Sequence, residues 1–345
     1  MTHFILPWLT NYKLELIENL VIKTKIKINI IRGKVPIHKA MNLVSDSKYV
    51  SISDSSFKSY INFILDNKRQ SIFMLHLSNV STVLFFLIST VLKGDVHVWE
   101  SGYVAHGKFK FLILKFKVFL MNRADNIFFY SSSGKALYES YGLKTSSVIV
   151  NNTVKSLAKL DDISNKILIK KENSFLYVGG VSKLKSIDIL LQALSICNNK
   201  NDFNVRLNIV GPILDDEKVY FLDKFKEIKN VNYYGSLYGN DLKKVWLENN
   251  CFILPGIGGL AVNEALSYGL PAITTEGDGT IPDFITVGYN GFLIDGSVES
   301  ILNGIEWYVK MDLEQKRQII HNCFDTYNIS LKYDSMIHKF IKKLT

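Results

Sequence analysis

The chain has 345 residues, which is enough for two α/β domains that each bury a sizeable core. A hydrophobic content of 47% and a mean hydropathy of +0.10 exclude a disordered protein. The net charge of +9 is unevenly placed: residues 1–160 hold 21 Lys and Arg against 9 Asp and Glu, and the remainder holds 20 against 23. This asymmetry predicts an N-terminal surface that meets an anionic partner.

Three cysteines, Cys197, Cys251 and Cys323, lie far apart in the sequence and form no CxxC pair. An odd number without such spacing argues against a disulfide framework or a zinc site and favours a reducing cytoplasm. Residues 1–7 lack the cationic start and the long apolar core of a signal peptide. The most apolar run, residues 80–92, is too short to cross a bilayer core of roughly 30 Å. We therefore expect a cytoplasmic protein with a core helix at this run.

Apolar strands alternate with helical stretches in the first half of the chain. A helical periodicity over residues 11–24 is followed by the first predicted strand, residues 26–31. The other predicted strands of this half cover residues 71–76, 96–99, 126–130 and 147–150. Predicted helices lie between them over residues 80–92 and 133–141. Strands that alternate with helices predict a parallel sheet with helices on both faces.

Lysines interleave with aromatic residues over residues 108–120. This pattern suits the surface of an anionic membrane leaflet, so it predicts a peripheral protein on the inner face of the cell membrane. The lysines predicted to face the membrane are Lys108, Lys110, Lys115 and Lys117. The alternative is an ordinary amphipathic helix that packs its Phe and Leu side chains on its own domain. Nucleic acid is not expected as a partner, because no RNP, helix-turn-helix or zinc-finger pattern is present.

Residues 154–173 are polar, rich in lysine and without strong periodicity. They join two predicted domains, residues 1–160 and residues 161–345. The predicted strands of the second domain cover residues 174–178, 205–210, 231–235, 251–254, 271–274 and 291–294. Its predicted helices cover residues 187–195 and 241–249. A helical tail follows, and packing of its last helix on the first domain is one possible arrangement. Ligands of open α/β sheets bind beyond the carboxyl ends of the strands, so we expect the site in the cleft between the domains.

Residues 251–271 are the most informative segment of the chain. They read as a buried strand, a glycine-rich turn, a short helix that carries Glu264, and a Gly-Leu-Pro sequence before another strand. A glycine turn that opens a helix collects free N–H groups and the positive end of the helix dipole, which suit an anion. A carboxylate one turn into the helix suits hydroxyl groups. Phosphate and hydroxyls together describe a sugar nucleotide.

The second half contains an ordered series of motifs. They lie at residues 175–188 (FLYVGGVSKLKSID), 207–212 (LNIVGP), 232–235 (NYYG), 251–271 and 288–293 (GYNGFL). Over residues 174–310 this series resembles the C-terminal domain of the GT-B glycosyltransferases of family 4, the group 1 glycosyltransferases, in their bacterial surface-polysaccharide type. The likeness is weaker in the first half, at WESG (99–102), YSSSGK (130–135) and NNT (151–153). The resemblance implies a GT-B fold: two Rossmann-like, doubly wound domains that face each other across a cleft, with a helical C-terminal tail.

The resemblance implies a donor site on the second domain. Lys185 aligns with the lysine that pairs with the donor diphosphate, where an ammonium neutralises charge on the leaving group. A plain surface lysine is the alternative. Glu264 aligns with the glutamate that holds the ribose hydroxyls, and a solvated helix glutamate is the alternative. The donor-binding residues so implied are Gly179, Gly180, Lys185, Gly211, Gly256, Gly258, Gly259, Leu260, Ala261 and Glu264.

The first domain supplies two further candidates, Glu100 and His106, which follow the strand over residues 96–99. Both are predicted to contact sugar hydroxyls, and together with Lys185 they form the predicted catalytic set. A loop histidine without a role is the alternative for His106.

Two positions depart from the family pattern. Gly256 stands eight residues before Glu264, where the family has a first glutamate close to the donor sugar. Gly180 stands where an arginine usually supplies a second cation for the diphosphate. Backbone amides or residues of the first domain are then left to recognise the donor sugar.

The expected activity is transfer of a sugar, with retention, from a nucleotide sugar to a hydroxyl of a glycan acceptor. The resemblance implies a front-face mechanism, in which the leaving phosphate helps to deprotonate the acceptor. The basic first half implies a polyprenyl-diphosphate-linked acceptor at the inner membrane surface, and hence a role in bacterial O-antigen or capsular polysaccharide synthesis. No cofactor and no metal are expected, since Asp161-Asp162 and Asp215-Asp216 form no DxD motif. Alternatives are a GT-B-fold nucleotide-sugar epimerase, a catalytically silent glycan- or nucleotide-binding subunit, and a nucleic-acid-binding protein.

Overall fold

The computed structural model describes residues 2–344 except residues 8, 33–47, 55, 66–69, 93, 103–109, 160, 162–172 and 200–204. The chain divides into two compact units. Unit 1 comprises Met1–Asn151 and Asp334–Thr345, and unit 2 comprises Asn152–Tyr333. The division falls earlier in the chain than the boundary predicted at residue 160, and the end of the helical tail counts with unit 1.

Unit 1 is built on a parallel sheet whose described strands number seven, in the order β3-β2-β1-β4-β5-β6-β7. The strands are β1 Thr2–Leu6, β2 Ile28–Arg32, β3 Val50–Asp54, β4 Gln70–Phe73, β5 Asp95–Glu100, β6 Asn126–Phe129 and β7 Ser147–Ile149. The helices are α1 Asn11–Thr24, α2 Phe57–Leu65, α3 Val80–Val91, α4 Lys110–Met121 and α5 Ser132–Ser140. The strands β1, β5 and β6 are buried on both faces, as a parallel sheet covered by helices requires. The predicted parallel sheet is confirmed.

The sequence predicts neither β1 nor β3 nor α2. In β3, which reads Val-Ser-Ile-Ser-Asp, short polar side chains interrupt the apolar run, and α2 has only nine residues. β3 forms because it pairs along its length with β2, so tertiary contact rather than local propensity decides its conformation. Helix starts are better signalled. Asn79 and Ser131 cap α3 and α5 by accepting from the N–H groups of Thr82 and Gly134.

Unit 2 is built on a second parallel sheet, in which six strands are described in the order β10-β9-β8-β11-β12-β13. The strands are β8 Asn173–Val178, β9 Val205–Val210, β10 Val231–Tyr233, β11 Cys251–Leu254, β12 Ala272–Thr274 and β13 Gly291–Leu293. The helices are α6 Ile187–Asn199, α7 Lys218–Glu227, α8 Gly239–Glu248, α9 Leu260–Ser267, α10 Val298–Val309 and α11 Leu313–Thr326, and α12 Tyr333–Leu344 follows at the end of the chain. The sequence predicts every one of these strands but not α7. The buried side chains of β8, β9 and β11 form the centre of the core.

Helix α12 belongs almost entirely to unit 1 and packs on its sheet. Phe340 is fully buried, and its ring centroid lies 4.5 Å from that of Phe128 and 5.4 Å from that of Trp99. The side chain of Gln70 donates to the carbonyl of Leu344 at 2.9 Å. The last helix therefore completes the core of the first unit.

Candidate active site

The strand order of unit 2 reverses between β8 and β11, which are paired although β9 and β10 separate them in the sequence. At such a switch point an open parallel sheet has a crevice beyond the carboxyl ends of two strands, where ligands bind. β8 runs into Gly179-Gly180, and β11 runs into Pro255-Gly256. Most residues predicted for the donor site therefore lie at one edge of one sheet.

Two glycines at this edge have backbone conformations that disfavour a side chain. Gly179 and Gly211 have φ angles of +153° and +142°, a region that residues with a side chain rarely adopt. A Cβ on Gly211 would lie 1.8 Å from the carbonyl oxygen of Gly179. The N–H of Gly179 donates to the carbonyl of Val210 at 2.9 Å. The backbones of the turns after β8 and β9 thus lie directly against each other.

The 3₁₀ turn Lys183–Lys185 packs on the turn that follows β11. A Cβ at Gly256 would lie 2.6 Å from the carbonyl oxygen of Lys185 and 2.8 Å from its Cα, so a side chain at position 256 requires the backbone to move. The Lys185 ammonium donates to the carbonyl of Ile257. The backbone of Lys185 therefore occupies the space that a side chain at position 256 would enter.

Helix α9 begins at the glycine turn without a side-chain cap. Its N-cap is Gly259, which offers no acceptor to the first N–H groups of the helix. The loop after β12 closes on the same turn: a Cβ at Gly259 would lie 2.7 Å from Thr280 Oγ1 and 3.2 Å from Asp278 Oδ1. Asp278 Oδ1 accepts from the Thr280 hydroxyl at 2.6 Å. The positive end of α9 is thus bordered by a carboxylate that a neighbouring hydroxyl holds in place.

Glu264 lies one turn into α9, with its side chain partly buried. Burial raises the pKa of this carboxyl to about 7, and the nearby side chain of Trp246 acts in the opposite direction. Trp246 is fully buried and stacks on Tyr268, with 5.7 Å between the ring centroids. Near neutral pH the Glu264 carboxyl therefore titrates, and in its ionised form it accepts hydrogen bonds from hydroxyl groups.

The candidates of the first domain are placed in unit 1. The side chain of Glu100, at the end of β5, is 4% exposed and pairs with the Lys117 ammonium at 2.6 Å. Glu100 also accepts from the backbone N–H of Gly102 at 3.2 Å. Its carboxylate is already engaged within unit 1, and its contact with a sugar stays a prediction. His106 lies outside the described residues.

The four lysines predicted to face a membrane differ in their surroundings, and the structure corrects one of them. Lys117 turns inward to its ion pair, with 13% of its side chain exposed, because α4 directs this position toward the end of β5. Lys110 is half-buried, Lys115 is exposed, and Lys108 lies outside the described residues. The Lys115 ammonium lies 4.5 Å from the centroid of the Phe111 ring.

Helix α4 has an exposed apolar face. The large apolar side chains that it exposes are Phe111 (53%), Leu112 (60%), Ile113 (45%), Phe116 (49%) and Phe119 (51%). Its other face buries Leu114, Val118 and Met121 in the core of unit 1. A helix that is apolar on all sides is usually covered on all sides. Across the described ranges, no helix has both the length and the apolarity to span a membrane.

Sequence reasoning missed Asp278 and Thr280, because their contact with Gly259 joins two loops that are distant in the chain. A signal was nonetheless present. Gly277 and Gly279 flank Asp278 in the sequence. A glycine–acid–glycine triplet after a buried strand is typical of a tight loop. Both glycines do have positive φ angles, of +64° and +82°.

Part of the chain matches a known protein family, and the whole chain is similar to solved structures. Residues 160–324 match the family described as glycosyl transferases group 1. No curated protein matches the chain. The structure of Anabaena HepE in complex with UDP superposes with a TM-score of 0.79 at 14% identity, over 100% of this chain and 99% of that one.

Two further solved structures are similar over nearly their whole length. The apo form of the lipopolysaccharide outer core galactosyltransferase WaaB gives a TM-score of 0.69 at 18% identity, over 99% of both chains. The pneumococcal O-GlcNAc transferase GtfA, in complex with UDP and GlcNAc, gives 0.73 at 12% identity, over 99% of this chain and 98% of that one. At these identities the likeness establishes the fold, which is the predicted one. The chain has the two-sheet GT-B fold of glycosyltransferases, and its residues 160–324 are similar to the group 1 glycosyl transferases.

Proposed function

We propose that the protein is a retaining glycosyltransferase that moves a sugar from a nucleotide-sugar donor to a hydroxyl of a glycan acceptor. The observation that carries the proposal is the convergence of Lys185, the uncapped start of α9 and Glu264 near the switch point of the unit 2 sheet. A cation and free N–H groups match a diphosphate, and a carboxylate matches the ribose hydroxyls. The similarity to group 1 glycosyl transferases covers these same residues and supports the assignment.

A uridine diphosphate sugar is the donor class that we propose first. The Anabaena and pneumococcal neighbours were both solved in complex with UDP. In this chain the diphosphate lies against the Lys185 ammonium and the N–H groups of Gly259, Leu260 and Ala261, while Glu264 accepts from the ribose. Gly256 contributes no side chain to the donor sugar.

In the proposed reaction, the bond between the anomeric carbon and the diphosphate oxygen breaks as an acceptor hydroxyl attacks from the same face. The leaving diphosphate gains negative charge and takes the proton of the acceptor. Lys185 and the positive end of α9 stabilise that charge in a site whose groups are already in position. The proposal includes no metal ion and no cofactor.

We further propose that the acceptor is a glycan on a polyprenyl diphosphate at the inner membrane surface, in the synthesis of O-antigen or capsule. The exposed apolar face of α4 supports this part. Residues 101–124 hold five Lys and Arg and no Asp or Glu. The guanidinium of Arg123 lies 3.8 Å from the centroid of the Phe119 ring. Aromatic side chains flanked by cations match the headgroup layer of an anionic leaflet.

The test combines calorimetric binding of UDP with transfer from radiolabelled UDP-sugars to membrane acceptors. Lys185→Ala and Glu264→Ala are each expected to weaken UDP binding by about tenfold or more, since each removes a charged hydrogen-bonding group. Both variants are expected to lose transfer. Lys183→Ala is the matched control, because Lys183 belongs to the same turn but its ammonium lies 4.4 Å from the centroid of the Tyr220 ring. Unchanged UDP binding in both test variants would show that the assigned site is wrong.

A catalytically silent nucleotide-binding subunit is the second candidate. Gly256 and Gly180 favour it, since each stands where the resembling enzymes carry a charged side chain. This candidate predicts UDP binding that depends on Lys185 and Glu264 without transfer to any membrane acceptor. The same assay therefore separates the two functions.

A further inference from the structure

Unit 2 has a second concave site, the α11 groove, of about 500 Å³. It lies between the loop at Gly288, the end of α10 and the first turns of α11. Gly288 precedes β13, so the groove lies at the amino ends of the parallel strands, opposite to the edge that carries the glycine turns. Lys316 of α11 donates to Asn173 at the start of β8 at 3.2 Å, in agreement with this position. A site of this volume accommodates a small ligand.

One wall of the groove is apolar and held in place. Trp307, Met311 and Ile319 line it. The indole of Trp307 packs on the ring of Phe292, with 5.4 Å between the centroids. An ordered indole surface suits the C–H face of a pyranose ring, because both are flat, apolar and bordered by polar groups.

Two exposed amides of α11 are each oriented by one hydrogen bond. Gln315 Oε1 accepts from the N–H of Asp312 at 3.0 Å in a capping box, and its NH₂ group is the remaining donor. Gln318 Nε2 donates to Asn322 Oδ1 at 2.9 Å, and its Oε1 is the remaining acceptor. Asn322 is itself fixed by donation to the carbonyl of Tyr289 at 2.8 Å. A donor and an acceptor three residues apart on one helix face match neighbouring hydroxyls of a sugar.

The charge of the groove indicates a neutral ligand. Among the described residues that line it, Lys310 is the charged one, and its ammonium pairs with Glu306. A phosphate or a carboxylate would therefore meet no unpaired cation in the groove.

We propose that the α11 groove binds a neutral oligosaccharide, separately from the donor site. Trp307 stacks on one pyranose ring, Gln315 donates to one hydroxyl, and Gln318 accepts from another. A site at the opposite edge of the sheet holds a saccharide chain on the enzyme and raises its local concentration near the protein.

Saturation-transfer NMR with maltotetraose, cellotetraose and laminaritetraose tests the proposal, with UDP in excess. At least one tetrasaccharide is expected to receive saturation. Gln318→Ala and Gln315→Glu are each expected to weaken its binding by about tenfold, since each removes one hydrogen bond to the sugar. Gln315→Glu keeps an oxygen for the capping box, so the helix start is preserved. Glu314→Ala, an exposed neighbour on α11 that does not line the groove, is expected to bind normally.

Two readouts separate this site from the donor site. Gln318→Ala is expected to bind UDP as the wild type does, and Glu264→Ala is expected to keep its tetrasaccharide. Absence of saturation transfer to all three tetrasaccharides would overturn the proposal. Binding that is unchanged in Gln318→Ala, Gln315→Glu and Trp307→Ala would also overturn it.

Discussion

At position 256, the space that a side chain would fill is occupied by the backbone of Lys185. The carbonyl of Lys185 fills the space beside Gly256, and the turns after β8 and β11 touch without a side chain between them. The same contact brings the Lys185 ammonium to the carbonyl of Ile257. A side chain at position 256 would therefore displace the turn that carries Lys185.

Gly256→Ala is expected to lower the free energy of unfolding by about 1–3 kcal/mol, because the added methyl group forces the backbone of the Lys185 turn to move. The same movement is expected to weaken UDP binding. Gly180→Ala is the matched control for the loss of stability, since a Cβ at Gly180 meets no atom within 4 Å. Urea denaturation and calorimetry measure both effects. Equal losses in the two variants would contradict the steric explanation.

Glu264→Gln tests the raised pKa of the Glu264 carboxyl. The folded pKa is about 7 against an ordinary value of 4.5. Between these values the folded protein keeps a proton that the unfolded chain has lost, so this carboxyl lowers stability as the pH rises from 4.5 to 7. Without ligand, Glu264→Gln is expected to melt above the wild type at about pH 8, and the gain is expected to disappear toward about pH 4. A melting difference that does not depend on pH would refute this.

Residues close to buried strands could be predicted from the sequence. Lys185, Gly256 and Glu264 were singled out because the motifs around them resemble those of group 1 glycosyltransferases, and each motif follows a buried strand. Asp278 and Thr280 were not, since only the folded backbone brings their loop against the start of α9.

At the scale of elements, α4 shows where periodicity stops being informative. Apolar residues surround the helix, so the sequence alone does not separate its buried face from its exposed one. The prediction for Lys117 was wrong for this reason: the residue lies on the inner face, opposite Glu100. The exposed set contains Phe116 and Phe119 instead.

Phe116→Ser and Phe119→Ser are each expected to reduce co-sedimentation with vesicles that contain phosphatidylglycerol, because each removes an aromatic side chain from the proposed lipid-facing surface. Raised salt is expected to reduce binding of the wild type as well. Ile329→Ser is the matched control, since Ile329 is an equally apolar residue of unit 2 that is 78% exposed. If the wild type stays in the supernatant at low salt, the membrane proposal fails.

Glu100→Ala is expected to lower the free energy of unfolding by about 3 kcal/mol, because it leaves the Lys117 ammonium partly buried without its partner. The double variant Glu100→Gln with Lys117→Met is expected to recover most of this loss, since no charge then remains in the pair. Chemical denaturation measures both. If the single and double variants are equally destabilised, the ion pair is not the cause.

At the scale of the whole molecule, alternation of strands and helices was enough to predict two parallel sheets. It was not enough to predict the order of the strands in each sheet. That order depends on which strands pair, and the pattern of apolar residues in one strand does not specify its neighbour. The position of α12 likewise depends on contacts between residues that are distant in the chain. Its contacts in unit 1 reach residues more than two hundred positions earlier in the chain.

Phe340→Ala is expected to destabilise unit 1 by about 3–5 kcal/mol, because it leaves a cavity against Trp99 and Phe128. His338→Ala, at an exposed position of the same helix, is the matched control. Hydrogen exchange followed by mass spectrometry resolves the two units, and the loss of protection is expected in the peptides of unit 1. Loss confined to the peptides of unit 2 would contradict the assignment of α12.

Because α12 at the end of the chain packs in unit 1, unit 2 is completely translated before unit 1 is. Residues 152–333 leave the ribosome as one continuous piece, whereas unit 1 stays incomplete until the segment around Phe340 has emerged. The nascent chain therefore carries the apolar surface at Trp99 and Phe128 uncovered while the whole of unit 2 is being translated. A chaperone that binds exposed aromatic surface has that interval in which to act, and a premature stop codon before Phe340 leaves the surface uncovered permanently.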